Sequence, residues 1–251
     1  MTGVRIGVLA LQGAFREHVT LLKSIPGVEA VEVRNVDQLE SVSGLIIPGG
    51  ESTTMALIAQ RWGVLDKLKE RVQKGLPVWG TCAGMIFLAD RAEGQKSGGQ
   101  AFVGGLDICV HRNFFGAQVE SFEAEIPVPE CLQPFGSEPI RAVFIRAPAV
   151  LEAGPGVEVI SSLSLNDVQR AKSGRESVSV AVRTESLLAT AFHPELTGDA
   201  RWTQLFVSMV ESYVKKSGML TEPISAMEAE IGRVPNIPND LPVFGHDHIC
   251  A

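Results

Sequence analysis

Short unbroken apolar runs alternate with amphipathic stretches along the first third of the chain. Val4–Leu11 (VRIGVLAL) is a continuous β-rich run closed by Gly13, the pattern of a parallel strand buried on both faces. Ala14–Ile25 follows with Phe15, Val19, Leu22 and Ile25 at helical spacing, and Pro26-Gly27 ends it. Val28–Val33 and Gly44–Ile47 read as the next strands, the latter closed by Pro48-Gly49-Gly50. Ser52 is a candidate cap for a helix through Met55, Leu57 and Ile58, and Val64–Lys74 is a second amphipathic helix. Leu76–Trp79 reads as a strand that runs into a helix over Ala83–Asp90. This alternation predicts an α/β fold in three layers, a mostly parallel central sheet with helices on both faces.

The rhythm changes after Phe102. Up to Ile160 the apolar runs (DICVHRNF, VESFEAEIPV, IRAVFIRAPAV, GVEVI) are separated by Pro- and Gly-bearing loops, as in appended, mostly antiparallel strands. Ser161–Ser177 is polar and reads as a surface loop. Val178–Val182 and Leu187–Phe192 resume strand character, and Arg201–Lys216 is a final amphipathic helix. From Gly218 the chain carries Pro and Asn without any sustained period. The expected organisation is therefore one domain over residues 1–217, then an extension over 218–251 with little order of its own.

Composition narrows the class. The formal charge of −7 and the lack of a basic stripe argue against a nucleic-acid role. No segment is apolar for long enough to span a bilayer, and MTGVRIGVLALQG lacks the pattern of a secretory signal. Cys82, Cys109, Cys131 and Cys250 are scattered, with no Cys-x-x-Cys pair, so neither a zinc knuckle nor a disulfide framework is signalled. A reducing, cytoplasmic location is expected.

Candidate chemistry begins at Gly80-Thr81-Cys82-Ala83-Gly84. A strand would deliver Cys82 to the first turn of a helix, and Gly80 and Gly84 allow close backbone passage, as at a nucleophile elbow. The Ala83 N–H would then face an oxyanion. Taken alone, the pentapeptide fits a buried cysteine at a strand–helix turn equally well. A base is available at the end of LLATAF, in His193-Pro194-Glu195: residues two apart on an extended segment share a side, so Glu195 can hold one imidazole nitrogen and leave the other for Cys82. In PGGEST, Gly50 is a candidate second oxyanion donor and Glu51 a candidate acceptor for a substrate ammonium. His18 is expected at the surface of the first helix, and His111 in a structural or supporting place. His246, His248 and Cys250 sit in the tail, and no metal or cofactor is expected.

Together LALQGAFREH, LIIPGGESTTM, PVWGTCAGMIFLA, HRNFFG, SFEA, VFIRAP and AFHPELT resemble the class I (triad) glutamine amidotransferases, and most closely the glutaminase subunits of pyridoxal 5′-phosphate synthases. The resemblance runs over about residues 4–216. It implies a flavodoxin-like fold and hydrolysis of L-glutamine to glutamate and ammonia. The ammonia would pass to a separate β/α-barrel synthase subunit, which is dodecameric in that family, and an isolated glutaminase would be monomeric. By motif, Cys82 corresponds to the nucleophile, His193 to the general base and acid, and Glu195 to the orienting carboxylate. Gly50 and Ala83 would form the oxyanion hole. Gly50, Glu51, Ser52, Arg112, Ile145 and Arg146 would contact glutamine, and Gln12 would lie where the synthase docks. The Glu93–Gln100 loop, the 161–177 segment and the tail look more like plant-type or other eukaryotic members than compact bacterial ones.

Other readings remain open on these residues. A triad glutaminase serving histidine biosynthesis shares Cys, His and Glu, although HRNFFG and VFIRAP favour the pyridoxal branch. A cysteine hydrolase or chaperone of similar build would not need the His-Pro-Glu pair. A non-catalytic scaffold would not need the triad at all.

Overall fold

The computed structural model describes residues 3–94, 99–116 and 121–218. Strands β1 (Val4–Leu9), β2 (Val28–Val33), β3 (Gly44–Ile47), β4 (Val78–Thr81) and β12 (Leu187–Thr190) form a parallel sheet in the order β2-β1-β3-β4-β12. Apart from the edge strand β2, their side chains are mostly buried, as strands covered on both faces must be. The order reverses between β1 and β3, and the crevice beyond the carboxyl ends of strands at such a reversal is where α/β sheets bind ligands.

Alternation along β4 separates the two layers of helices. Trp79 and Thr81 face α1 (Phe15–Lys23) and α7 (Arg201–Ser217): the Trp79 ring meets His18 at 5.5 Å and Phe206 at 5.9 Å. Gly80 faces α5 (Ala83–Leu88), which packs with α3 (Ser52–Arg61), itself beside α4 (Val64–Gln73). A short α2 (Val36–Glu40), which hydrophobic spacing did not signal, is capped by Asn35 Oδ1 accepting the Gln38 N–H at 2.9 Å.

The second half extends the sheet. β11 (Ser177–Arg183) runs antiparallel to β12, β9 (Ala149–Ala153) to β11, and β6 (Leu106–His111) to β9, while β10 (Glu158–Ser164) pairs with β11. Strands β7 (Phe122–Ile126) and β8 (Ile140–Phe144) form a separate two-stranded antiparallel sheet. Rings from four of the sequence motifs bind this small sheet to the body. Phe115, Phe122, Phe144, Phe192 and Trp202 follow one another at 5.2, 4.7, 5.6 and 5.3 Å.

Three expectations need correction. The helix after Cys82 stops at Leu88, because Ala89 is extended (φ −65°, ψ 145°), and Ala89–Glu93 becomes β5, parallel to β6. The 161–177 segment is not a loop. β10 occupies its start, and Asp167–Ser173 is a helix (α6) closed by a reciprocal capping box, Asn166 Oδ1 accepting from Gln169 N–H and Gln169 Oε1 from Asn166 N–H. α6 buries no residue, so apolar spacing could not reveal it. Finally, Glu51 rather than Ser52 caps α3, its Oε2 accepting the Thr54 N–H at 2.7 Å. Most of the tail (219–251), with His246, His248 and Cys250, and positions 95–98 of the Glu93–Gln100 loop lie outside the described residues. Among the described residues no helix is long and apolar enough to cross a membrane.

Candidate active site

Cys82 lies between β4 and α5 with φ 48° and ψ −101°, a conformation that costs a non-glycine residue about 1–3 kcal/mol. Neighbouring contacts impose it. The Cys82 N–H donates to the Thr190 carbonyl at 2.8 Å, continuing the β4–β12 ladder, while the chain turns at once into α5. Both flanking glycines are needed for that turn. A Cβ on Gly80 would lie 2.4 Å from the Gly84 carbonyl group, and one on Gly84 would lie 2.1 Å from the Ile47 carbonyl oxygen of β3. Cys82 is buried, and its thiol leans on the Ile145 carbonyl at 3.8 Å.

His193 reaches the sulfur from the loop after β12. Its N–H donates to the Val143 carbonyl of β8 at 2.9 Å, so the small sheet fixes where the ring starts. Its Nδ1 lies 2.7 Å from Glu195 Oε1. The two side chains meet through a single 3-10 turn, Pro194–Leu196, rather than by strand alternation, since β12 ends at Thr190. On its other side the ring adjoins Cys82: a Cβ built on Gly49 would meet the ring and Cys82 Cβ together. Burial by itself would lower the His193 pKa, but the contacts with Cys82 and Glu195 prevail and push it up to about 10. For Glu195, burial would raise the pKa. The adjoining imidazoles, of which His193 donates directly, hold it below the usual carboxylate range instead.

The glycine turn after β3 closes the other side. A Cβ on Gly49 would lie 2.3 Å from the His193 ring and 3.4 Å from Cys82 Cβ. Gly50 has φ +157°, and a Cβ there would strike the Gln12 amide at 2.4 Å. The loop after β1 grips this turn: Ala14 N–H donates to the Gly49 carbonyl at 3.0 Å, and Gln12 Oε1 accepts the Glu51 N–H at 2.8 Å. Ala83, first residue of α5, presents an amide with no carbonyl one turn before it in the helix.

Arg112, at the end of β6, donates through Nη2 to Ser52 Oγ at 2.9 Å and Thr53 Oγ1 at 3.0 Å, and lies 3.9 Å from Glu51 Oε1. Both hydroxyls donate onward to Gln100 Oε1. Glu51 is half exposed, and burial would raise its pKa. The Thr54 and Thr53 donors, aided by Arg112, lower it. Arg146 is exposed and takes the left-handed region (φ 46°), so its side chain stays at the rim next to the Ile145 carbonyl that touches the thiol.

All the candidate residues thus gather around the carboxyl ends of β1, β3, β4, β6, β8 and β12. Sequence reading missed Gly49, Thr53 and Gln100, and it misplaced His18, which is fully buried with Nε2 3.2 Å from Thr81 Oγ1 and 3.4 Å from Glu195 Oε2. Its spacing four residues before Leu22 was the available signal.

Comparison with known proteins agrees with this geometry. Residues 8–212 match the model of the SNO glutamine amidotransferase family. The chain is 52% identical over 255 residues to the "Probable pyridoxal 5′-phosphate synthase subunit PDX2" of Arabidopsis thaliana, covering 95% of this chain and 99% of that protein. It is 48% identical over 210 residues to the pyridoxal 5′-phosphate synthase subunit PdxT of Dehalococcoides mccartyi strain BAV1, covering 84% and 99%. A solved glutamine amidotransferase superposes with a TM-score of 0.68 at 42% identity, over 82% of this chain and 98% of that one. PurLQS from Thermotoga maritima shares the fold at 16% identity, with a TM-score of 0.55 over 85% of this chain and all of that one. With the match extending from β1 into the last helix, the chain belongs to the SNO glutamine amidotransferase family.

Proposed function

We propose that the protein is the glutaminase subunit of a pyridoxal 5′-phosphate synthase, hydrolysing L-glutamine to L-glutamate and ammonia through Cys82, His193 and Glu195. The observation that carries this reading is the buried file in which Glu195 holds His193 Nδ1 and the same ring adjoins Cys82, beside a glycine turn with room for nothing larger. Family membership and the names of the relatives support the substrate and the pathway.

The sulfur of Cys82, its proton held by His193, attacks the side-chain carbonyl carbon of glutamine. The oxygen takes up negative charge facing the amides of Ala83 and Gly50, which contribute a few kcal/mol, about 3, to each tetrahedral state. His193 gives its proton to the amide nitrogen, the C–N bond breaks, and ammonia leaves a glutamyl thioester. Acylation removes the Cys82 contact that raised the pKa of His193, so burial weighs more and the ring yields its proton readily at that step. The neutral ring then takes a proton from water, whose oxygen attacks the thioester. The C–S bond breaks, and glutamate departs with Cys82 and His193 restored.

Arg112 and Arg146 supply positive charge for the glutamine carboxylate, and Glu51 accepts from its ammonium. Ser52 and the Ile145 carbonyl complete the pocket. Gln12 lies at the mouth, on the side offered to a β/α-barrel synthase subunit that would receive the ammonia. A cytoplasmic location, with no membrane or nucleic-acid partner, fits the acidic charge and the free thiols. The test is glutamate release from glutamine with and without added synthase subunit. Release stimulated by the synthase is expected, and none under either condition would overturn the assignment.

A further inference from the structure

His18 takes no part in the steps above, yet it occupies the back of the same site. Its ring is fully buried on α1, edge-on to Trp79 at 5.5 Å. Nε2 lies 3.2 Å from Thr81 Oγ1 and 3.4 Å from Glu195 Oε2. The other oxygen of that carboxylate is 2.7 Å from His193 Nδ1, so Glu195 sits between two imidazoles. Both side chains of the His18–Glu195 pair are without solvent contact, and among the described residues no other donor satisfies Oε2. A buried ionised oxygen lacking a donor is costly, and the Nε2–H of His18 is the donor within reach.

On this basis, and resting on the role proposed above for Glu195, we infer that His18 is a positioning residue that fixes the rotation of the Glu195 carboxylate and, through it, the aim of the His193 ring. The tautomer of His18 follows from its surroundings. Nδ1 has no partner, and an orphaned acceptor lone pair is better tolerated than an orphaned N–H, so the proton belongs on Nε2, facing Thr81 and Glu195. The groups facing the ring are Glu195 and His193 from the turn after β12, Thr81 and Trp79 from β4, and Glu17 on its own helix. Burial is the largest influence on its pKa and lowers it, so His18 meets Glu195 as a neutral N–H dipole. At 3.4 Å, shared with Thr81, the contact is long in the resting site. Hydrogen bonds of this kind tighten when charge develops on the ring they support. The Gln12–Ala14 loop that grips Gly49 and Glu51 leads directly into the same helix, so one rigid segment braces both sides of the site.

The experiment compares the full-length wild type with His18→Leu and His18→Gln in the presence of the synthase subunit. Glutamate release, the rate of Cys82 alkylation by iodoacetamide and thermal unfolding are each read. His18→Leu is expected to lower kcat about tenfold with KM for glutamine within twofold, and to slow alkylation. His18→Gln, whose amide N–H reaches the place of Nε2–H, is expected to recover most of both losses. A merely structural histidine would lower the unfolding temperature and leave kcat and alkylation of the folded protein within twofold of wild type, which would overturn the inference. Should His18→Leu fail to fold, nitrogen-15 NMR of the wild type decides: an Nε2–H tautomer whose proton shift moves in Glu195→Gln supports the role, and an Nδ1–H tautomer refutes it. Absence of glutamate release by the wild type would instead strike the functional reading, and the tautomer would still be readable.

Discussion

Gly49 and His193 occupy adjoining space so tightly that a single methyl group on the glycine would lie 2.3 Å from the imidazole. Gly49 does not adopt a left-handed backbone, so Gly49→Ala is conformationally permitted and its whole cost falls on the ring. The ring cannot retreat, because Glu195 holds it from behind and Val143 fixes its backbone. A displacement of about 1 Å at a reacting group lowers rates on the order of a hundredfold. Gly49→Ala is therefore expected to retain its circular dichroism spectrum and lose about 99% of kcat/KM for glutamine. A kcat/KM within tenfold of wild type would show that the ring is less confined.

The strain at Cys82 separates stability from activity. A φ of 48° with ψ of −101° is costly for any residue with a Cβ and open to glycine. Cys82→Ala and Cys82→Gly both remove the sulfur, and each should retain less than about 1% of glutaminase turnover. In urea denaturation, however, Cys82→Gly should be the more stable of the two by about 1 kcal/mol, opposite to the usual effect of glycine in a folded chain. Equal midpoints would mean that the turn is relaxed.

Much of this arrangement was legible in the residues, and the boundary of what was legible has physical causes. β3 was readable to the residue, because a parallel strand buried on both faces leaves a continuous apolar run ended by Pro and Gly; β2, at the sheet edge with Glu29 and Glu32 exposed, was readable from its β-branched residues and the Pro26-Gly27 turn before it. The elbow was readable because Gly80 and Gly84 answer a local steric need. His18 was misread because a polar residue on an amphipathic helix looks like a surface residue, and its partners Thr81 and Glu195, far along the chain, make burial tolerable. α6 escaped notice because capping rather than burial holds it. The end of α5 at Leu88 was not readable either: Asp90 looks like helix surface, yet its carboxylate accepts the Gly105 N–H at 2.7 Å and draws the chain onto the sheet edge.

Protonation of the pair is open to direct measurement. With its pKa pushed up to about 10, against 6.5 for an ordinary imidazole, His193 should hold its proton through neutral pH and lose it only as pH rises toward 10. Nitrogen-15 shifts of the ring should report imidazolium at pH 8. In Cys82→Ala the transition should move down, because the sulfur contact is gone while burial remains. Glu195 carries the opposite sign. Its lowered pKa makes a stabilising contribution that is present above about pH 4.5 and lost as pH falls through the folded value. The free energy of unfolding should accordingly fall less steeply below pH 4.5 in Glu195→Gln than in the wild type. Parallel curves would remove Glu195 from the charged network.

Arg112 tests whether the proposed glutamine-binding rim acts through charge or through geometry. Its Nη2 bridges the Ser52 and Thr53 hydroxyls at 2.9 and 3.0 Å, tying the end of β6 to the first turn of α3, and its side chain is only 16% exposed. A lysine keeps the charge, but its single ammonium on a shorter stem cannot reproduce a planar fork that holds two hydroxyls and still faces a carboxylate. Arg112→Lys should therefore raise KM for glutamine about tenfold, equivalent to ~1.4 kcal/mol, with kcat changed by less than threefold, because the triad lies on other elements. Arg112→Met, lacking the charge as well, should raise KM further. If Lys and Arg support the same KM, charge alone suffices and the hydroxyl bridge serves only the fold. If kcat falls while KM holds, the arginine instead acts on the glycine turn that faces the reacting carbonyl.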